Sequence, residues 1–171
     1  MTMSPGLRKL TLTVHLTSSV GWIGAVVAFA ALAIGGVSSQ DSQTVRGAYL
    51  AMSVLVSYVI VPLAFAALLT GLVSSLGTTW GLFRYYWVVL KLLLTVVAII
   101  VLLVQLEPIR YLARVAADPS SGISGLPEAR RPLIHAAGGL IVLLVIQVLG
   151  VYKPRGLTRY GWRKRYEERA K

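Results

Sequence analysis

The sequence predicts an all-α membrane protein, a four-transmembrane-helix bundle whose N- and C-termini are both cytoplasmic. Three observations lead to this prediction. Of the 171 residues, 56% are hydrophobic and only 13% are charged, which leaves too little polar surface to cover a soluble domain of this size. The apolar residues fall into four long segments. The basic residues lie almost entirely outside those segments, and many of them follow the last one.

The four apolar segments are each long enough to cross a bilayer. A helix needs about 20 mainly apolar residues to span a hydrocarbon core of about 30 Å, and backbone groups in lipid must be satisfied within the segment. We therefore predict helices over residues 10–37, 48–73, 86–106 and 133–152. Residues 1–152 form the transmembrane domain, and residues 153–171 form a basic cytoplasmic tail. The first segment is too long for a signal peptide, so we expect it to be retained.

The connections between the segments are polar and mostly short. Residues 38–43 and 74–83 form the first two, and residues 107–132 form a longer third one. Within the third, residues 108–115 place apolar side chains opposite two arginines at helical spacing, which leaves open a short helix lying flat at the interface. Pro62, in the middle of the second span, indicates a kink.

The orientation follows from the placement of the basic residues. With the N-terminus inside, Arg8, Lys9, Arg84 and eight tail residues give 11 inner cations against five outer ones. This bias favours cytoplasmic termini. An inner aromatic belt is expected to include Trp80. The basic tail is typical of a segment held near anionic headgroups of the lipid bilayer, and not of nucleic-acid binding.

Two helices carry a stripe of polar side chains that includes an ionisable group. Ionisable groups inside a membrane are costly and are usually functional, so these stripes contain the candidate site residues. On the first helix the stripe consists of Thr11, His15, Ser18, Ser19 and Trp22, and on the third it consists of Arg84, Trp87, Lys91 and Thr95. Residues three or four apart share one helix face, so each stripe is expected to face the bundle interior.

The depths of His15 and Lys91 match. Each lies seven residues after an arginine at the inner boundary, which places both side chains about 10 Å into the membrane. His135 lies 18 residues before Lys153, about 27 Å from the same boundary. We therefore do not expect His15 and His135 to ligate one iron. Structural roles remain open for each group: a histidine hydrogen-bonded to a neighbouring helix, or a lysine that snorkels to the interface.

Residues 15–24 (HLTSSVGWIG) resemble the first-helix pattern of the HemJ-type protoporphyrinogen oxidases, with a histidine seven positions before a tryptophan. Residues 87–92 (WVVLKL) resemble the third-helix pattern of that family, and Lys153-Pro154 resembles its closing Lys-Pro. The whole chain also resembles an uncharacterised family of bacterial four-helix membrane proteins that is distantly similar to the HemJ and CopD types. Val89 stands where the HemJ type commonly has a second histidine, and Glu128 is the nearest counterpart of its acidic residue before the last helix.

The resemblance implies that the protein lies in a bacterial inner membrane, that it binds haem b or a related porphyrin, and that it is an oxidoreductase if it is an enzyme. It implies that His15 is the metal ligand and that Lys91 contacts a propionate or carries a proton. The candidate cofactor-binding residues are then His15, Lys91, Trp22, Trp87, Arg84 and Ser19.

Two other functions remain open. A CopD-like permease for a small solute or metal ion is one, although the chain has no cysteine and few methionines to act as soft copper ligands. A non-catalytic assembly subunit is the other, since small residues such as Gly24, Gly138 and Gly139 suit helix packing and also leave a homo-oligomer open. A soluble hydrolase is excluded because no carboxylate lies within the apolar spans.

Overall fold

The computed structural model describes residues 3–77, 81–123 and 130–170. Within these ranges the chain is helical and has no β-strand. Helices α1 (Pro5–Ser38), α2 (Ser42–Leu76), α3 (Tyr86–Ala117) and α4 (Arg131–Tyr152) are each long and apolar enough to cross a membrane. A fifth helix, α5 (Arg159–Arg169), follows. The prediction of four helices able to span a membrane is confirmed in length and apolar content. Trp80 and Glu128 lie outside the described residues.

The four long helices form a ring in which each one packs against two neighbours. Helix α1 packs against α2 and α4, and α3 packs against the same two helices, so α1 and α3 face each other across the diagonal. The most deeply buried large side chains, Tyr49, Met52, Val56 and Leu112, come from α2 and α3. Large apolar side chains also cover the outer surface of the helices, as a surface in contact with lipid requires.

The helices are longer than the apolar segments because polar residues cap their ends. Ser4 is the N-cap of α1 and accepts a hydrogen bond from the backbone of Leu7, with Pro5 at the first helical position. Asp41 caps α2 by accepting from the backbone N–H groups of Gln43 and Thr44. Helix α2 therefore starts six residues before the predicted span.

The irregularity predicted at Pro62 is a π-helical turn. Residues Val56–Ile60 form this turn directly before the proline, and the backbone N–H of Val61 bonds to the carbonyl of Val56. Proline lacks a backbone N–H and its ring crowds the preceding turn. A widened turn at this point accommodates both effects without ending the helix.

Residues 108–115, for which the sequence left a separate interfacial helix open, are part of α3. These residues continue α3 without a break through Pro108. Their apolar side chains are buried, including Ile109 and Leu112, on the part of the molecule where α3 packs against the first half of α2. The apolar face that suggested contact with lipid instead contacts the protein.

Arg46, near the start of α2, holds the end of α3. Its guanidinium donates to the carbonyls of Ala116 (2.9 Å), Asp118 (2.6 Å) and Ser121 (2.7 Å), with longer contacts to Val115 and Pro119. The last carbonyls of a helix have no partner within it and carry partial negative charge, so a cation stabilises them.

The basic tail is folded against the connection that precedes α3. The backbone N–H of Tyr86 bonds to the carbonyl of Gly156, and Thr158 bonds through its N–H to the carbonyl of Arg84 and through its hydroxyl to that of Phe83. The Thr158 hydroxyl also accepts from Gly161 N–H as the N-cap of α5. This segment is therefore a structured part of the molecule.

An ion pair and a close backbone approach hold α5 in place. The Arg84 guanidinium bonds to both carboxylate oxygens of Glu168, at 2.7 and 3.2 Å. This hydrogen bond lowers the pKa of the Glu168 carboxyl and raises the pKa of Arg84. Gly161 lies so close to the backbone carbonyl of Arg84 that a side chain there would overlap with it.

Candidate functional site

A cavity of about 560 Å³ lies at the end of the bundle where α1 and α3 begin and α2 and α4 end. Its volume is in the usual range for small-molecule pockets, about 300–1,000 Å³. All four long helices contribute to its walls. The polar and charged side chains that line it are Arg8, His15, Ser19, Ser74, Ser75, Lys91, Thr95, Gln147 and Lys153.

His15 is held by the backbone of α2. Its Nδ1 lies 3.1 Å from the carbonyl oxygen of Ala67 and 3.2 Å from the hydroxyl of Thr70. The Thr70 hydroxyl donates its own proton to backbone carbonyls, at 2.6 Å to that of Ala66, so it can only accept from the imidazole. Both partners therefore require a proton on Nδ1, and the neutral ring keeps a lone pair on Nε2.

Gly71 allows the imidazole to approach α2 this closely. A Cβ atom at this position would lie 3.1 Å from Cε1 of His15 and 3.6 Å from Nδ1. Gly71 is one helical turn after Ala67, so the hydrogen-bond acceptor and the space for the ring lie on the same face of α2. The orientation of the His15 ring depends on the Ala67 carbonyl and on the space left by Gly71.

Lys91 lies against α4 in a similar way. Its Nζ is 2.7 Å from the position that a Cβ atom on Gly150 would occupy, and its side chain lines the same cavity as His15. The helix diagonal thus places one imidazole and one ammonium on opposite walls of a single space.

The charge of the cavity wall is positive. Arg8, Lys91 and Lys153 line it together with His15, and no described lining residue is Asp or Glu. Lys153 follows the last residue of α4 in the left-handed conformation, with φ 46° and ψ 60°. A residue in this conformation ends a helix, and here it also belongs to the cavity wall. Such a wall favours a ligand with anionic groups.

The structure brings together four of the six residues predicted from the sequence. His15, Ser19, Trp87 and Lys91 line the cavity. Trp22 is buried in the apolar core. Arg84 is not a lining residue and forms its ion pair with Glu168. The polar stripe of α1 faces inward as predicted, since Thr11, Ser18 and Trp22 are all buried.

His135 lies away from the cavity. Its Nε2 is 2.8 Å from the side-chain amide nitrogen of Gln105 on α3, and its Nδ1 is 2.8 Å from the carbonyl of Arg131. It is twelve residues before Gln147 on α4, about 18 Å along the helix axis. This pair connects α3 to α4, the structural role that the sequence left open for His135.

Several cavity residues were not predicted from the sequence. Gly71, Gly150 and the Ala67 carbonyl carry no signal in a single chain, because their roles depend on a neighbouring helix. Gln147 carried a signal that was not used, because an amide within an apolar span is costly in lipid.

The cavity offers a ligand one imidazole nitrogen, several cations and apolar walls. The residues that the structure describes contain no group of three His, Cys, Asp or Glu side chains able to hold a bare metal ion. A single protein nitrogen suits a metal whose other ligands are already supplied.

Comparisons of the chain with models of protein families, with curated proteins and with solved structures find no match.

Proposed function

We propose that this protein binds haem b or a related porphyrin in the cavity at the inner end of the bundle, with His15 as the axial ligand. The observation that carries the proposal is the hydrogen bond from Nδ1 of His15 to the Ala67 carbonyl. Metal-ligating histidines usually donate their second ring N–H to a carbonyl or carboxylate, which fixes the tautomer and orients the ring. Nε2 of His15 is then the ligand atom.

The residues that line the cavity are suited to a haem or a related porphyrin. A macrocycle supplies four nitrogens in its plane, so one imidazole is a sufficient protein ligand, as in globins and peroxidases. The apolar side chains of Leu92 and Val88 provide walls for the ring, and Arg8, Lys91 and Lys153 provide positive charge for carboxylate side groups. Trp87 lies on the same wall as Lys91.

A bound haem would supply one-electron redox chemistry, and its potential depends on axial ligation and burial. The residues of this chain hold, orient and shield it. Any enzymatic activity would then be that of a haem-dependent membrane oxidoreductase.

We also propose that the cavity faces the cytoplasm and that the protein lies in a bacterial inner membrane. Arg8, Lys9, Arg84 and the basic tail all belong to the end of the bundle that contains the cavity. The excess of 11 cations over five at the other end supports this orientation. The exposed cations of α5 are suited to anionic headgroups.

The test is the absorbance spectrum of protein purified in detergent after expression with a haem precursor. We expect a Soret band that His15→Ala abolishes and that Lys91→Met weakens or shifts, because methionine keeps an unbranched side chain, one atom shorter than that of lysine, and removes the charge. His135→Ala is the matched histidine control and should leave the band unchanged.

Two results would contradict the proposal. One is wild-type protein with no Soret band after reconstitution with haem. The other is a band that survives in His15→Ala and disappears in His135→Ala. Uptake of a small solute by vesicles in a His15-dependent manner would favour the permease, and a stable co-purifying membrane protein would favour the assembly subunit.

A further inference from the structure

The cavity has an apolar edge as well as a basic end. Leu12 and Leu16 on α1 and Val151 on α4 all line the cavity, and they are 50%, 47% and 67% exposed. Helices α1 and α4 are direct neighbours in the ring. The side chains that border the cavity between these two helices are therefore also part of the outer surface, which in a bilayer is in contact with acyl chains.

The end of the cavity toward the water is partly covered by the N-terminus. The backbone N–H of Met3 bonds to the carbonyl of Gly77 at 3.2 Å, and the Met3 side chain lies directly over Gly77 while also lining the cavity. Arg8 and Lys153 lie at this end. His15, seven residues after Arg8, is about 10 Å deeper.

We infer that the ligand enters this cavity sideways from the bilayer, between α1 and α4, and that it is an amphiphile with its anionic groups at headgroup level. The inference rests on the proposed function and identifies how a porphyrin with two carboxylates reaches His15. Such a molecule in the inner leaflet keeps its carboxylates at the headgroups and its ring among the acyl chains. It can pass between α1 and α4 in that orientation and meet Arg8 and Lys153 at the height where its carboxylates already lie, with Lys91 deeper in the cavity at the level of His15.

The alternative path from water would expose the apolar ring to the basic end of the cavity before it reached Leu16 and Leu92. On that path the ligand would also pass Met3, which lies over Gly77. The sideways path avoids both, because Leu12, Leu16 and Val151 give the edge of the cavity between α1 and α4 an apolar surface while Arg8 and Lys153 lie at its end toward the water.

The experiment uses the absence of cysteine from the chain. Leu16→Cys and Val151→Cys are each labelled with a bulky maleimide to narrow the gap from either side. The matched controls are Val20→Cys on α1 and Val148→Cys on α4, which are 58% and 52% exposed and do not line the cavity. Full-length protein in detergent is mixed with haem, and the growth of the Soret band is followed. Release is then followed after addition of a soluble haem scavenger.

Labelled Leu16→Cys and Val151→Cys should load and release haem about tenfold more slowly than the labelled controls, with a similar final Soret amplitude. An obstruction on the path slows both directions equally and leaves the equilibrium unchanged, whereas damage to the site lowers the amplitude. Loading of the labelled gap variants at the rate of the controls would overturn the inference, while normal loading of unlabelled protein would leave the proposed function intact. Unlabelled protein that never develops a Soret band would overturn both.

Discussion

Replacing Arg46 by methionine tests whether one side chain holds the start of α2 and the end of α3 together. Of its three short hydrogen bonds, those to Ala116 and Ser121 are partly buried and the one to Asp118 is exposed. Water can replace the exposed bond. A bond to a charged group is worth about 1.5–3 kcal/mol, so two bonds at the lower end of this range give a loss of about 3 kcal/mol.

The matched control is Arg114→Met at the same end of the molecule. Arg114 reaches Glu107 only at 3.7 Å, and the two side chains are 66% and 69% exposed. Such a surface pair contributes about 0–1 kcal/mol. The free energy of unfolding of both variants is measured by reversible denaturation with SDS in mixed micelles, followed by circular dichroism. Equal losses in the two variants would refute the role assigned to Arg46.

Four further predictions concern the cavity and the tail. Gly71→Ala should weaken haem binding about tenfold by displacing the ring of His15. Gly24 has open space around it, so Gly24→Ala should leave haem binding unchanged. Equal haem affinities of the two variants in a Soret titration would count against the assigned role of Gly71. Lys153→Gly should lower haem affinity by removing a cation. It should raise the midpoint of thermal unfolding or leave it unchanged, because glycine adopts the left-handed conformation without strain. A lower midpoint would show that the Lys153 side chain contributes to the stability of the fold. Gly161→Ala should speed tryptic cleavage within α5 relative to Gly47→Ala, since a Cβ atom cannot fit against the Arg84 carbonyl; equal cleavage rates would contradict this packing. The pKa of Glu168 is lowered in the folded state. The contribution of this carboxylate to docking α5 is therefore complete above the ordinary glutamate pKa of about 4.3 and is lost as the pH falls through the lower native pKa. Trp162 fluorescence should report the release of α5 at low pH in the wild type and not in Glu168→Gln.

The sequence predicted the membrane-spanning helices because length and apolar content are local properties. It placed their ends less well, since Ser4 and Asp41 extend α1 and α2 beyond the apolar residues through capping. The helical spacing of residues 108–115 was correctly recognised, but the sequence left open whether Pro108 separates them from the third span, because this depends on what the next turn packs against. Here Ile109 and Leu112 are buried in the protein.

The sequence by itself determined that this chain has four helices long and apolar enough to cross a membrane, and that His15 and Lys91 lie equally far along their helices on the faces that line the cavity. Both conclusions follow from the rise and periodicity of a single helix, which no neighbour alters. Only the tertiary structure decided that Gly71 and Ala67 hold His15, that Gly150 lies against Lys91, and that the basic tail folds onto the start of α3. These contacts join residues far apart in the chain, and the pairing of helices that creates them depends on how whole surfaces pack.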